Sequence, residues 1–159
     1  MDSIGYNSEW IDVDGNKVHR TAIIADTVKL GKGNVIYPCA VIGYNGFTWQ
    51  KVDDATVEIG DNNKIGAHTF IAHSSRIGNN NTLMSGVNIG HHCVIQNDNV
   101  IVANSTICGH TVIGSGNRIN AGATIRNRIV IGDNNTIGMG SVVVTNVQSG
   151  KTVKGNPAR

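Results

Sequence analysis

Every sixth residue from Ile59 to Val143 is Ile, Leu or Val. Gly follows many of these directly, as in Ile59-Gly60, Ile65-Gly66, Ile89-Gly90 and Ile131-Gly132. A strict six-residue period fits neither the 3.6-residue helix nor a plainly alternating strand. It is the sequence signature of a parallel β-helix, in which each short strand places one large apolar side chain inward. A longer period sits inside it. Asn63, Asn81, Asn99, Asn117 and Asn135 recur every eighteen residues, each closing a run such as Asp61-Asn62-Asn63 or Asn97-Asp98-Asn99. Eighteen is three sixes, so three strands make one coil and one of its three corners is distinct. Asn and Gly suit such a corner because they tolerate left-handed backbone. Stacked Asn side chains can hydrogen-bond from coil to coil. Coils should lie about 4.8 Å apart, the ordinary inter-strand spacing.

Residues eighteen apart therefore stack. His73 lies under His91, and His91 under Gly109, while Ser74, His92, His110 and Arg128 form the neighbouring column. Four of the six histidines thus share one corner strip. The repeat also runs backwards through Ile42, Ile36, Leu30, Ile24 and Val18, leaving residues 1–15 as an irregular cap with Trp10 and Tyr6. It breaks once. Seventeen residues separate Ile42 from Ile59 where six would do. The insert at 44–56 carries Phe47, Trp49, Lys51, Asp53 and Asp54, and excising it brings Tyr44 under His73. A loop leaving a rigid scaffold at the histidine strip, and holding two aromatics, reads as a ligand-binding loop rather than a bare surface excursion. After Val143 the pattern relaxes into a tail at 144–159, and no helical segment is evident.

Composition removes several classes of function. The 159 residues suit one domain, and a solenoid needs no globular core because each coil packs on its neighbours. A net charge of +2 and 4% aromatic residues argue against nucleic-acid binding. No apolar run is long enough to span a membrane and the N-terminus lacks the regions of a signal peptide. Three cysteines, Cys39, Cys93 and Cys108, read as reduced thiols of a cytoplasmic protein, with Cys93 packed inward.

The segments Val18-His19-Arg20-Thr21-Ala22-Ile23, Val57-Glu58-Ile59-Gly60-Asp61-Asn62-Asn63, Asn88-Ile89-Gly90-His91-His92-Cys93 and Cys108-Gly109-His110 resemble the left-handed β-helix acyltransferases. Their order is that of the UDP-N-acetylglucosamine acyltransferases of the lipid A pathway, and the insert falls at the matching place. The ending Gly155-Asn156-Pro157-Ala158-Arg159 is instead similar to acetyl-CoA-dependent sugar acetyltransferases. The resemblance implies an all-β, three-sided left-handed solenoid, an exception to the right-handed crossover rule. It also implies a homotrimer with active sites between neighbouring solenoids.

The resemblance assigns His91 as the general base, a role imidazole suits near neutral pH. Gly109 matches the residue whose backbone N–H faces the oxyanion. His73 and His110 match histidines that bind the acceptor. Asn88 stands where long-chain acyltransferases carry another His. Lys51, Asp53 and Trp49 on the loop are candidate acceptor contacts, and Arg126, Arg128, Lys154 and Arg159 are candidates for the phosphates of coenzyme A. Many acetyltransferases of this fold place a carboxylate after the base; here that residue is His92, which, like His19, reads as structural. The chain also lacks the C-terminal helical domain of the long-chain enzymes. The expectation is an acetyl-CoA-dependent acetyltransferase acting on the amino or hydroxyl group of a nucleotide-linked sugar in surface-polysaccharide synthesis, with no metal. Its alternatives are an acyl-carrier-protein-dependent acyltransferase of lipid A type, a zinc enzyme, and a solenoid that binds without catalysis. The zinc reading rests on His68-Thr69-Phe70-Ile71-Ala72-His73, which resembles the γ-class carbonic anhydrases.

Overall fold

The computed structural model describes residues 9–44 and 55–159. Its strands are two to four residues long and form three sheets of nine, seven and six strands, parallel throughout except for the first strand of the nine-strand sheet. The chain visits the sheets in rotation, so that each strand pairs with those one coil before and after it, as Leu83 does with Ile65 and Ile101. The result is a left-handed parallel β-helix of about 7 turns, without helices among the described residues.

The six-residue period is the inward column of each face. Ile65, Leu83, Ile101 and Ile119 fill the nine-strand face, Ile71, Ile89, Ile107 and Ile125 the seven-strand face, and Ile77, Ile95 and Ile113 the six-strand face, all at most 3% exposed. Because each side chain lies over its equivalent one coil away, one apolar core runs along the axis. The asparagine corner joins the six-strand face to the nine-strand face. Its Asn side chains are buried and form a ladder: Asn81 Nδ2 donates to Asn63 Oδ1 at 3.1 Å, and Asn99 Nδ2 to Asn81 Oδ1 at 3.1 Å. Each Oδ1 also accepts the backbone N–H of the next Asn, as Asn99 Oδ1 does from Asn117 at 2.8 Å. The residue before each ladder Asn is left-handed, with φ of 57° at Asn62 and 58° at Asn80.

The insert is where the broken period places it. Val35 pairs with Lys64 and the Asn34–Asn63 rung spans 29 residues. The chain leaves the solenoid after Tyr44 and rejoins it at Val57, between the seven-strand and six-strand faces. Tyr44 is one position from its expected place. A bulge at Gly43 pairs it with Ala72 rather than with His73. Gly43 has φ of 83°, and a β-carbon there would lie 2.6 Å from Val28 Cγ2, so only glycine lets the strand kink here.

Both ends are more regular than the repeat suggests. Trp10–Val13 is a strand, antiparallel to Asn16–His19 across Asp14 and Gly15, whose φ values are 51° and 82°. Asp-Gly is a strong signal for a two-residue hairpin turn. Tyr6, expected to share the cap with Trp10, lies outside the described residues. The tail is a further coil and not a relaxation of the pattern. Val147 bridges Ile131, and Val153 pairs with Ile137 sixteen residues earlier. Two residues are missing from the corner between Val143 and Val147, and this deletion hides the coil from a six-residue count.

Candidate functional site

The corner joining the seven-strand face to the six-strand face carries the histidines. Hydrogen bonds between coils hold its backbone: His92 N–H donates to His73 O at 3.2 Å, His110 N–H to His91 O at 2.9 Å, and Arg128 N–H to Gly109 O at 3.1 Å. The left-handed residue at each coil is Ser74, His92, His110 and Arg128, with φ of 57–61°. Elsewhere the left-handed positions go mainly to Asn, Asp or Gly, as at Asn80, Asp98, Gly116, Gly86 and Asn104. Left-handed backbone costs other residues roughly 1–2 kcal/mol each. A corner that spends this on His and Arg retains those side chains for another purpose, and the departure from Asn and Gly is legible in the sequence.

The four imidazoles interleave. His73 stacks on His91 with centroids 5.6 Å apart and planes at 8°, and His92 stacks on His110 at 4.8 Å and 13°. The two stacks meet edge-on, His91 being 5.2 Å from His92 and 4.9 Å from His110. His91 Nδ1 lies 2.9 Å from His92 Nδ1, and His73 Nδ1 lies 3.0 Å from Ser74 Oγ. Two neutral imidazole nitrogens at that distance share one proton, one donating and the other accepting. His92, read as structural from the sequence, is therefore the contact that orients His91. Burial, then the charges of His92 and His91, hold His73 below its ordinary value of 6.5. Loss of hydration, then His92, His91 and Arg128, do the same to His110.

Gly109, one coil on, lies against the His91 ring. A β-carbon at Gly109 would sit 2.9 Å from His91 Nε2 and 3.1 Å from His91 Cε1, so glycine makes room for the imidazole. The Gly109 N–H donates to no backbone carbonyl among the described residues. His91 and His110 are exposed, while His73 and Gly109 are half-buried.

The remaining candidates separate. Arg126 and Arg128 are exposed at the histidine corner, on the coil after Gly109. Lys154 and Arg159 are bonded to each other through their backbones and lie by Gly138, at the other end of the seven-strand face. The structure does not bring them to the histidines. Asn88 is exposed on the seven-strand face between Phe70 and Thr106, three residues before His91. Lys51, Asp53 and Trp49, with Phe47 and Asp54, lie outside the described residues. His68 is left-handed at the opposite end of the strand Phe70–Ala72 from His73, so the pair expected for zinc stands on two different corners. His19 is structural: it is buried, bonds Glu9 and Thr21 at 2.8 Å each, and packs edge-on to Trp10. Cys93 is buried, and burial pushes its thiol up to about 11.

A family model for the bacterial transferase hexapeptide, in six repeats, matches residues 74–109 and 110–145. The UDP-N-acetylglucosamine acyltransferase of Bacteroides fragilis superposes with a TM-score of 0.85 at 27% identity, over 91% of this chain and 60% of that one. The match to the hexapeptide family model covers residues 74–145, and the fold is shared with these β-helix acyltransferases. The UDP-N-acetylglucosamine O-acyltransferase of Moraxella catarrhalis gives 0.73 at 26% identity, over 92% of this hexapeptide solenoid and 72% of its own chain. The acetyltransferase domain of a Neisseria gonorrhoeae protein in complex with acetyl coenzyme A shares the fold, with a TM-score of 0.53 at 23% identity over 91% of this chain and 56% of that one. This chain therefore spans about three fifths of the Bacteroides protein it matches. No curated protein matches the sequence.

Proposed function

We propose that this hexapeptide solenoid is an acyltransferase that moves an acetyl group from acetyl coenzyme A to an amino or hydroxyl group of a nucleotide-linked sugar. One observation carries the reading: the His91 ring is tied through Nδ1 to His92 while its Nε2 edge faces Gly109. If His91 donates Nδ1–H to His92, Nε2 keeps its lone pair and is the base. The acceptor nitrogen or oxygen gives its proton to Nε2 as it attacks the thioester carbonyl. Gly109 N–H donates to the oxygen that becomes negative. The intermediate collapses by breaking the carbon–sulfur bond, and the thiolate takes the proton back from His91. His92 thus fills the orienting place that a carboxylate holds in many acetyltransferases of this fold.

Arg126 and Arg128 flank this point and suit the donor's phosphates, since guanidinium pairs well with phosphate oxygens. His73, His110 and Asn88, with the loop residues Lys51, Asp53 and Trp49, would take the acceptor. In the homotrimer that the superfamily resemblance implies, Lys154 and Arg159 would serve a cleft shared with a neighbouring solenoid. The free thiols Cys39, Cys93 and Cys108 fit a cytoplasmic setting. No helix among the described residues is long and apolar enough to cross a membrane. The likenesses above 25% identity, both to UDP-N-acetylglucosamine acyltransferases, support a UDP-sugar acceptor, and the resemblance to the lipid A enzymes adds a second donor, an acyl-carrier protein.

The test is thermal unfolding with acetyl coenzyme A, a long-chain acyl donor, and UDP- and dTDP-sugars. A ligand of the native state at 100 times its Kd adds about 2.7 kcal/mol of stability. A rise in Tm with acetyl coenzyme A and one nucleotide sugar is expected. Response to the long-chain donor alone selects the second reading, and no response to any donor refutes acyl transfer.

A further inference from the structure

The histidine corner gathers more imidazole than proton transfer needs. His91, His92 and His110 present ring nitrogens that all lie within 4.8 Å of one another, and all three side chains are exposed. Their backbones are locked by the ladder bonds of successive coils, His92 to His73 and His110 to His91. Nitrogens bound to one tetrahedral Zn2+ lie about 3.4 Å apart, given bonds of about 2.1 Å. The His91–His92 pair, at 2.9 Å, is already near that separation, and rotation of exposed rings closes the rest.

We infer that His91, His92 and His110 form a binding site for a borderline divalent transition ion such as Zn2+, with one coordination position open to solvent. Three imidazoles with no carboxylate in the set disfavour Mg2+ and Ca2+, which take oxygen ligands. The site departs from the expectation of no metal, and uses different residues from the His68–His73 pair. It is also coupled to the base. An ion on His91 Nδ1 displaces the shared hydrogen bond, and neutral imidazole must then carry its proton on Nε2. The lone pair facing Gly109 is lost, so the ion and the acyl-transfer base exclude each other. That coupling rests on the acyltransferase reading, but ion binding is measured without substrate and is decided separately.

The experiment is calorimetric titration of untagged protein with ZnCl2, repeated with Co2+ to read ligand-field absorption. His92→Asn and His110→Asn remove ligands while keeping a side chain that tolerates left-handed backbone. His68→Asn makes the same change, at φ 57°, on another corner and is the control. One ion per chain is expected, weakened at least about ten-fold in the first two variants and unchanged in the third, taking the second-shell penalty as a lower bound. Nitrogen-15 spectra of the imidazoles should show the His91 proton moving from Nδ1 to Nε2 on zinc addition. No saturable binding, or equal binding by all three variants, overturns the site. A His91 proton that stays on Nδ1 with zinc bound overturns the coupling.

Discussion

Asn99→Ala removes an interior rung of the asparagine ladder. The Oδ1 it deletes accepts Asn117 N–H at 2.8 Å and Asn117 Nδ2 at 3.1 Å, and the amide nitrogen donates to Asn81 Oδ1 at 3.1 Å. Two of the groups left behind keep partners. Asn81 Oδ1 still accepts Asn99 N–H at 3.0 Å, and Asn117 Nδ2 still has Ser115 O at 3.4 Å. The Asn117 N–H is left with none, in a corner where Asn99 and Asn117 are at most 1% exposed. An orphaned buried donor costs about 1–3 kcal/mol, and each of the two further bonds lost about 1 kcal/mol. The expected loss is thus about 3–5 kcal/mol. At roughly 2–4 °C per kcal/mol for a chain of this size, Tm should fall by about 10 °C. Calorimetry and urea unfolding followed by circular dichroism would measure it. Arg118→Ala, an exposed change on the adjoining face, is the control and should move Tm little. A loss below about 1 kcal/mol for Asn99→Ala would refute the ladder as a source of stability.

Gly109→Ala should drive the His91 ring off its place, because the new methyl would sit 2.9 Å from Nε2. A displacement approaching 1 Å at a reacting group can cost about 100-fold in rate. Turnover, followed by thiol release, should fall by about that factor with Tm nearly unchanged; full activity would remove Gly109 from the site. His91→Ala should abolish proton transfer, lowering kcat by about 100- to 10,000-fold with the fold intact. Unchanged kcat would dismiss it as the base. His73 and His110 are both held below 6.5, so the unfolded chain binds more protons than the native one in mild acid. Their contribution to stability is present above pH 6.5 and is lost as pH falls through their native values. Tm should therefore drop on acidification from pH 7 toward pH 5, and less steeply in His73→Gln. An identical slope in that variant would contradict the assignment.

The Ile and Asn periods determined the solenoid, the three faces, the stacking of His73, His91 and Gly109, and the place of the insert. They could do so because each coil contacts only its neighbours, which turns a spacing in sequence into a position in space. A period is blind where the chain adds or drops residues. It therefore missed the Gly43 bulge that shifts Tyr44, the two-residue deletion before Val147, and the Asp14-Gly15 hairpin, which turn chemistry rather than repetition encodes. Two groupings came from motif likeness and side-chain chemistry rather than from the period: His68 with His73, which the closed coil sets on different corners, and Lys154 and Arg159 with Arg126 and Arg128, which a single solenoid keeps apart. Only the tertiary structure brought His92 to His91. Column arithmetic assigned them to separate stacks, whereas the left-handed corner turns one ring toward the other. Nδ1 meets Nδ1 because of side-chain directions at that turn, a property of backbone angles that spacing does not carry.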